Sequence, residues 1–194
     1  MRRKMKFIDE RHLYNWKGEI VLIHHFVADE YVKNVFQIDL EKLKNEGKRV
    51  IFTDLDNTLV GAAVKAPTPE IIEFLNQAKD LGFEVIIVSN NNKERVSYFA
   101  KDLSIKAAHH KALKPLKLKL RKILKQYNRS EVIMIGDQLM TDVLVAKRLG
   151  LYTILVEPIH LHSDENSTKF NRRLERFVVK QLKKRQLPTP PYLD

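Results

Sequence analysis

The chain has no cysteine. A disulfide scaffold, a thiol nucleophile, cysteine-ligated zinc and iron–sulfur clusters are therefore excluded. The absence also fits a reducing cytosol. Long apolar runs are missing as well. Near the N-terminus the longest, Ile20–Ile23, stops at His24-His25 and is far too short to span a bilayer. Where a signal peptide would need an unbroken apolar core, Phe7–Lys17 carries Asp9, Glu10, Arg11 and His12, so none is expected. No GxGxxG follows the first strong strand and no Walker-type lysine loop is present, which leaves dinucleotide and P-loop nucleotide binding unsupported. The histidines offer little. His24-His25 and His109-His110 are adjacent pairs, and neighbours on a helix do not share a face. Tyr14 and Trp16 read as packing residues or an interfacial anchor.

What is there suits one globular core with short flanks. The chain has 194 residues, 44% of them hydrophobic and 30% charged, too short for two ordinary domains. Its formal net charge is +11, which points to an anionic partner: nucleic acid, an acidic membrane surface or a phosphorylated substrate. That charge is concentrated in Met1–Lys6, Lys111–Lys125 and Asn166–Leu187, which carry about +4, +7 and +7. The remainder is net acidic, at about −7.

Short apolar runs alternate with helical patterns from residue 50 onward. Val50–Asp54, Glu84–Ser89, Glu131–Asp137 and Leu151–Val156 read as strands, and Lys106–Ala108 as a short one. Thr68-Pro69-Glu70 opens a helix with a Thr N-cap and Pro in the first turn, and Gly82 stops it. Asn92–Leu103, Pro115–Tyr127 and Thr141–Leu149 read as further helices. Strands separated by such helices give βαβ units, hence an α/β, three-layer, Rossmann-like fold with a mainly parallel, doubly wound sheet. Upstream, Glu19–Val32 and Phe36–Asn45 read as two helices. Downstream lie the basic amphipathic helix Asn166–Leu187 and a Pro-rich end, Pro188–Asp194.

Two strands end in acids: Asp54-Leu55-Asp56-Asn57-Thr58 and Gly136-Asp137-Gln138, followed by Asp142. In a doubly wound sheet, ligands bind outside the carboxyl ends of the strands where the winding reverses. Asp54, Asp56, Asp137 and Asp142 would gather there. Two unit charges about 4 Å apart interact by roughly 4 kcal/mol at an effective dielectric of 20. A hard divalent cation offsets such repulsion, and oxygen ligands suit Mg²⁺.

These residues resemble the four motifs of the haloacid dehalogenase (HAD) superfamily. Asp54–Thr58 matches DxDxT, Ser89 at the end of a strand the second motif, Lys114 the third, and Gly136-Asp137-Gln138 with Asp142 the fourth. DLDNTLV at Asp54–Val60 and GDQ..TD at Gly136–Asp142 are similar to family IIIA, the YqeG-like branch, itself similar to mitochondrial phosphatidylglycerophosphate phosphatases. The resemblance spans roughly residues 28–160 and implies a Mg²⁺-dependent phosphatase. Asp54 would be the nucleophile that forms an aspartyl-phosphate, and Asp56 the general acid and base. Lys114 would stabilise charge. Thr58, Ser89 and the backbone near Leu55 and Asn90 would bind the phosphoryl group. Asp54, the carbonyl of Asp56 and Asp137 would hold the metal, with Asp142 supporting it.

Thr58 and Ser89 are about 31 residues apart and Ser89 and Lys114 about 25, too few for a cap domain in either gap. An open site suits a phosphate on something large. The expected substrate is phosphatidylglycerophosphate, giving phosphatidylglycerol. The alternatives are a phosphoprotein or nucleic-acid end, or a non-catalytic basic module that binds RNA or ribosomes. The apolar stripe Phe170, Leu174, Phe177, Val178 and Leu182 would either pack on the body or lie on an anionic membrane. The expected organisation is an N-terminal basic segment and helices over 1–48, a phosphatase core over 49–160, and the basic helix and tail over 161–194. The expected location is the cytosol, with peripheral contact to the inner face of the membrane.

Overall fold

The computed structural model describes residues 23–101, 103–159 and 166–193, with side chains in the last segment from 173 onward. The expectations for Met1–Lys6, Tyr14, Trp16, Phe170 and the first part of Glu19–Val32 lie outside the described residues.

Six strands form one all-parallel sheet: β1 (Glu30–Val32), β2 (Val50–Thr53), β3 (Glu84–Val88), β4 (Ala107–His109), β5 (Val132–Gly136) and β6 (Tyr152–Val156), in the order β1-β6-β5-β2-β3-β4. The helices are α1 (Leu40–Asn45), α2 (Pro69–Asp80), α3 (Lys93–Ala100), α4 (Leu118–Ile123), α5 (Leu144–Leu149) and α6 (Asn166–Lys184). A strand alternates its side chains between two faces, and both faces here are covered. Ile51, Val85, Ile87, Ile133 and Ile135 pack with Ile71, Phe74 and Leu75 of α2 and Val96 and Phe99 of α3. Val50, Phe52, Ile86, Val132 and Met134 pack on the other face with Leu120 and Ile123 of α4 and Val145, Ala146 and Leu149 of α5. This is why the strands read as continuous apolar runs. It is the doubly wound, three-layer arrangement expected, and no cap interrupts it among the described residues.

The chain runs outward from β2 to β3 and β4, then returns to place β5 on the other side of β2. The winding therefore reverses between β2 and β5, so Asp54 and Asp137 follow neighbouring strands at the switch point. Main-chain pairing carries this register onward, with Asp54 N–H donating to the Ile135 carbonyl at 2.9 Å.

One helix expectation fails from His24 onward. Within Glu19–Val32, His24–Phe26 is a single tight turn and Glu30–Val32 is edge strand β1. Pairing with β6, in the register Glu30↔Ile154, overrides the local helical pattern. Asp29 fixes the approach: its carboxylate accepts from Thr153 N–H at 2.7 Å and Thr153 Oγ1 at 2.9 Å, and pairs with Lys147. Three other helices begin later in the chain than expected. α1 begins only at Leu40, capped by Asp39, whose carboxylate accepts from Lys42 N–H. α4 begins at Leu118 because Lys111–Lys117 is spent on turns. α5 is preceded by a wide turn, Leu139–Val143, in which Val143 N–H reaches back five residues to the Gln138 carbonyl.

The C-terminal helix packs on the body. Val178, Val179 and Leu182 are buried with Phe26, Leu139, Val143 and Leu155, while Phe177 is 62% exposed. Of the stripe expected to choose between body and membrane, Val178 and Leu182 are spent on the body, joined by Val179, while Phe177 is not. Arg173, Arg176, Lys180, Lys183 and Lys184 face solvent.

Candidate active site

The carboxyl ends of β2, β3 and β5 bring most of the expected residues to one place. Asp54, Asp137 and Asp142 are all buried, and one carboxylate oxygen from each lies within 4.8 Å of the others. Asp54 and Asp137 arrive directly from strand ends. Asp142 arrives because the wide turn after Gln138 folds it back, and its Oδ2 accepts from Gln138 N–H at 3.1 Å. Thr58 Oγ1 donates to Asp137 Oδ1 at 3.3 Å.

Lys114 closes the group. Its ammonium donates to Asp142 Oδ1 at 2.6 Å and lies 2.8 Å from Asp54 Oδ1, and only 5% of the residue is exposed. Asn90 holds its backbone in a two-point clasp: Asn90 Oδ1 accepts from Lys114 N–H at 2.8 Å, and Asn90 Nδ2 donates to the Lys114 carbonyl at 3.0 Å. The Asn90 side chain thus serves the lysine, and only its backbone is left for the phosphate role expected of it. Ser89 is buried, and its Oγ accepts from Asn91 N–H at 3.1 Å.

Asp56 stands apart from the acid group. Arg95 of α3 grips its Oδ1 with Nε at 3.1 Å and a terminal nitrogen at 2.9 Å, and Asn91 Nδ2 donates to its Oδ2 at 2.9 Å. The expectation that the Asp56 carboxylate gathers with the other three acids is not met, because Arg95 and Asn91 hold it.

The electrostatics follow from burial. Loss of solvent pushes Asp54 up to about 6, with the nearby Asp142 carboxylate adding to the shift and Lys114 opposing it. Burial alone would pull Lys114 down. The charges of Asp142 and Asp54 outweigh that and hold it above the ordinary lysine value. Three carboxylates against one ammonium leave about −2 when all are ionised, the complement of a divalent cation. A second observation agrees: Asp54 Oδ1 is fully buried and no hydrogen-bond donor is aligned on it, the Lys114 contact being an off-axis ion pair. A set made only of oxygens favours a hard cation. These residues fit the metal.

Gly136 has a specific job here. A Cβ at this position would lie 2.4 Å from both Cβ and Cγ of Asp142, and these atoms are too near the backbone to swing aside. Gly136→Ala is expected to push Asp142 off Lys114 and the Gln138 N–H, costing about 2–3 kcal/mol of stability. The rise in Tm on adding Mg²⁺ should shrink with it, and thermal scans with and without the ion check both effects.

Four contributors escaped the sequence reading: Arg95, Asn91, Glu175 and Tyr192. Glu175, fully buried on α6, accepts from Leu139 N–H at 2.6 Å. Tyr192 Oη donates to the Asp137 carbonyl at 3.3 Å. The C-terminal segment thus ties down both the turn that delivers Asp142 and the strand end that delivers Asp137. A signal for Glu175 did exist, since it is the lone acid in the basic stretch Asn166–Leu187.

Comparison with known proteins agrees with this geometry. The haloacid dehalogenase-like hydrolase family matches residues 10–150. The chain is 43% identical over 162 residues to the probable phosphatase YqeG of Bacillus subtilis, covering 82% of this chain and 93% of that protein. It is 27% identical over 161 residues to phosphatidylglycerophosphate phosphatase 1, chloroplastic/mitochondrial, of Arabidopsis thaliana, covering 77% of this chain and 46% of that protein, so it spans less than half of that relative. Among solved structures, the cobalt-bound deoxy-D-mannose-octulosonate 8-phosphate phosphatase of Haemophilus influenzae is similar with a TM-score of 0.47 and 20% identity, over 57% of this chain and 69% of that one. The chain belongs to the haloacid dehalogenase-like hydrolases and is a phosphatase of that family.

Proposed function

We propose that this phosphatase is a Mg²⁺-dependent phosphomonoester hydrolase acting through an aspartyl-phosphate on Asp54, and that it converts phosphatidylglycerophosphate to phosphatidylglycerol. The observation that carries the chemistry is the buried Asp54 carboxylate, set beside Lys114 and two further acids. Asp54, Asp137 and the Asp56 carbonyl would hold Mg²⁺, with Asp142 supporting it. The bound ion supplies charge neutralisation at the phosphoryl oxygens.

The chain's own residues do the rest. An Asp54 carboxylate oxygen forms a bond to phosphorus as the bond from phosphorus to the leaving oxygen breaks, and Asp56 delivers the proton that oxygen needs. Asp56 then takes a proton from water. The water oxygen bonds to phosphorus, the phosphorus–Asp54 bond breaks, and inorganic phosphate leaves with Asp54 restored. Lys114 stabilises negative charge on Asp54 and on the transferring group. Thr58, Ser89 and the backbone N–H groups near Leu55 and Asn90 position the phosphoryl oxygens.

Arg95 positions Asp56 for both proton transfers. Arg95→Ala is expected to lower kcat by about tenfold to a hundredfold with little change in KM. The Mg²⁺-induced rise in Tm should stay as in wild type, because Arg95 does not touch the acid group. An unchanged kcat would remove Arg95 from the mechanism.

For the substrate, support comes from the capless architecture and from the named activity of the Arabidopsis relative. Among the described residues no cap covers the acid group, so the group carrying the phosphate can be large. Within this reading, 49–160 is the phosphatase core, 1–48 an N-terminal segment and 161–194 the helix and tail that brace the acid-bearing turn. The protein would work at the inner face of the membrane as a peripheral enzyme; no described helix is long and apolar enough to cross one. The test is phosphate release from phosphatidylglycerophosphate in anionic vesicles, beside a soluble ester, a phosphopeptide and a phosphorylated oligonucleotide. The lipid should be turned over fastest. Preference for the peptide or the oligonucleotide would overturn the substrate.

A further inference from the structure

The loop that delivers Lys114 exposes more aliphatic surface than its neighbours do. Leu113, Leu116 and Leu118 are 61%, 57% and 80% exposed, three large apolar side chains within six residues. A scattered exposed leucine needs no explanation, but three beside a catalytic group do. The backbone is strained where the loop begins: Lys111 and Leu113 adopt φ of +46° and +58°, a region that non-glycine residues avoid. That geometry turns Leu113 out while the next residue, Lys114, is buried among the acids. Strain of this kind persists where surrounding contacts enforce it, and the Asn90 clasp on Lys114 does so here.

Basic residues alternate with the leucines along the chain. Lys111, Lys117, Lys119, Arg121, Lys122 and Lys125 lie in the same stretch, and there is no acid from 111 to 130. Lys111, Arg121, Lys122 and Lys125 are exposed and Lys117 is half-buried. Phosphate steering alone would need the cations and not the leucines. Single-stranded nucleic acid would call for aromatic rings on which bases stack, and none occurs between 111 and 126. Aliphatic tips rimmed by ammonium groups match a bilayer surface, with acyl chains beneath a layer of anionic headgroups.

We propose that the loop around Lys114 and the start of α4 form the membrane-docking face: Leu113, Leu116 and Leu118 enter the acyl boundary of an anionic bilayer while the surrounding lysines meet its headgroups. Because Lys114 is part of both this loop and the acid group, docking here would open the active site directly onto the lipid surface. The assignment deepens the lipid-phosphate reading above and rests on it. It also gives α6 a different role, since Val178, Val179 and Leu182 are used against the body.

The test uses the full chain and its Leu116→Ser/Leu118→Ser variant, neither position being part of the catalytic machinery. Co-sedimentation is measured with vesicles of phosphatidylcholine alone and with added phosphatidylglycerol. Wild type should bind the anionic vesicles at least about tenfold more tightly than the neutral ones, and the double variant should lose about tenfold or more of that binding. Lys117→Gln/Lys122→Gln should weaken binding to anionic vesicles and leave the weak binding to neutral ones unchanged. All three proteins should hydrolyse a soluble aryl phosphate at equal rates. A double leucine variant that sediments like wild type overturns the proposal. So does an oligonucleotide that strips wild type from the vesicles at low concentration and binds the leucine variant equally well. A separate arm measures phosphatidylglycerophosphate turnover in detergent micelles. No turnover there defeats the substrate reading, whereas turnover there with leucine-independent vesicle binding defeats only the docking face.

Discussion

Asp54→Asn is expected to abolish turnover, lowering kcat by about 10⁴-fold or more, and to leave the metal-free protein at least as stable as wild type. The two effects have one cause. Asp54 is a carboxylate held in a site that resists its charge: burial raises it from the ordinary carboxylate range to about 6. A carboxyl raised in the folded state stabilises the fold at low pH, and that contribution is lost as pH rises through the window from about 4 to about 6. At neutral pH the ionised group therefore costs the metal-free fold on the order of 3 kcal/mol. Asparagine keeps the shape and removes the charge. Its Tm without divalent cation should lie above wild type by several degrees. The further rise on adding Mg²⁺ should be smaller than in wild type, because one of the three buried acids is gone. Full turnover by pure Asp54→Asn protein would end the nucleophile assignment, and a large loss of metal-free stability would contradict the electrostatic account of the site.

Lys114→Ala should move stability the other way. The lysine is buried and contacts both Asp142 and Asp54, so its removal leaves three carboxylates clustered without a compensating cation. Breaking a buried pair by deleting one partner costs about 3–5 kcal/mol, much of it from the charge left behind. The metal-free protein should melt roughly 10 °C or more below wild type. Mg²⁺ should recover much of that loss, since the site it enters is more negative by one charge, so its Tm rise should exceed that of wild type. Activity should not return with stability. The charge that develops during phosphoryl transfer has lost its fixed counterpart, and kcat should remain down by about 10²–10³-fold in saturating Mg²⁺. The signature to look for is a Mg²⁺-induced Tm rise that falls below the wild-type rise in Asp54→Asn and exceeds it in Lys114→Ala. A wild-type Mg²⁺ response in both would show that these side chains are not part of one charged cluster with the metal.

The parts of this site that were legible in the sequence are those set by local geometry. Asp54, Asp137 and Ser89 follow apolar runs that could only be interior strands, and the parallel βαβ pattern then places strand ends on one edge. Asp142 was legible through its spacing from Asp137, though the wide turn that folds it inward was not. What escaped depends on contacts far apart in the chain. β1 pairs with a strand more than a hundred residues away, and no local pattern in Glu30–Val32 announces it. The grip of Arg95 on Asp56 and the reach of Tyr192 to the Asp137 carbonyl likewise need the tertiary fold before they exist. The C-terminal helix shows where periodicity stops: Phe177 and Val179 sit two residues apart in an amphipathic stretch, and only docking on Leu139, Val143 and Leu155 decides that Val179 is buried and Phe177 exposed.

The central claim is that Asp54 carries the phosphoryl group. It is tested most directly by rapid acid quench of the enzyme during turnover of a ³²P-labelled phosphomonoester, followed by peptide mapping. The account predicts a transient protein label, sensitive to hydroxylamine as an acyl phosphate is, confined to the peptide that contains Asp54 and absent from Asp54→Asn. Rapid turnover with no labelled protein at any quench time, or a label on another residue, would contradict it.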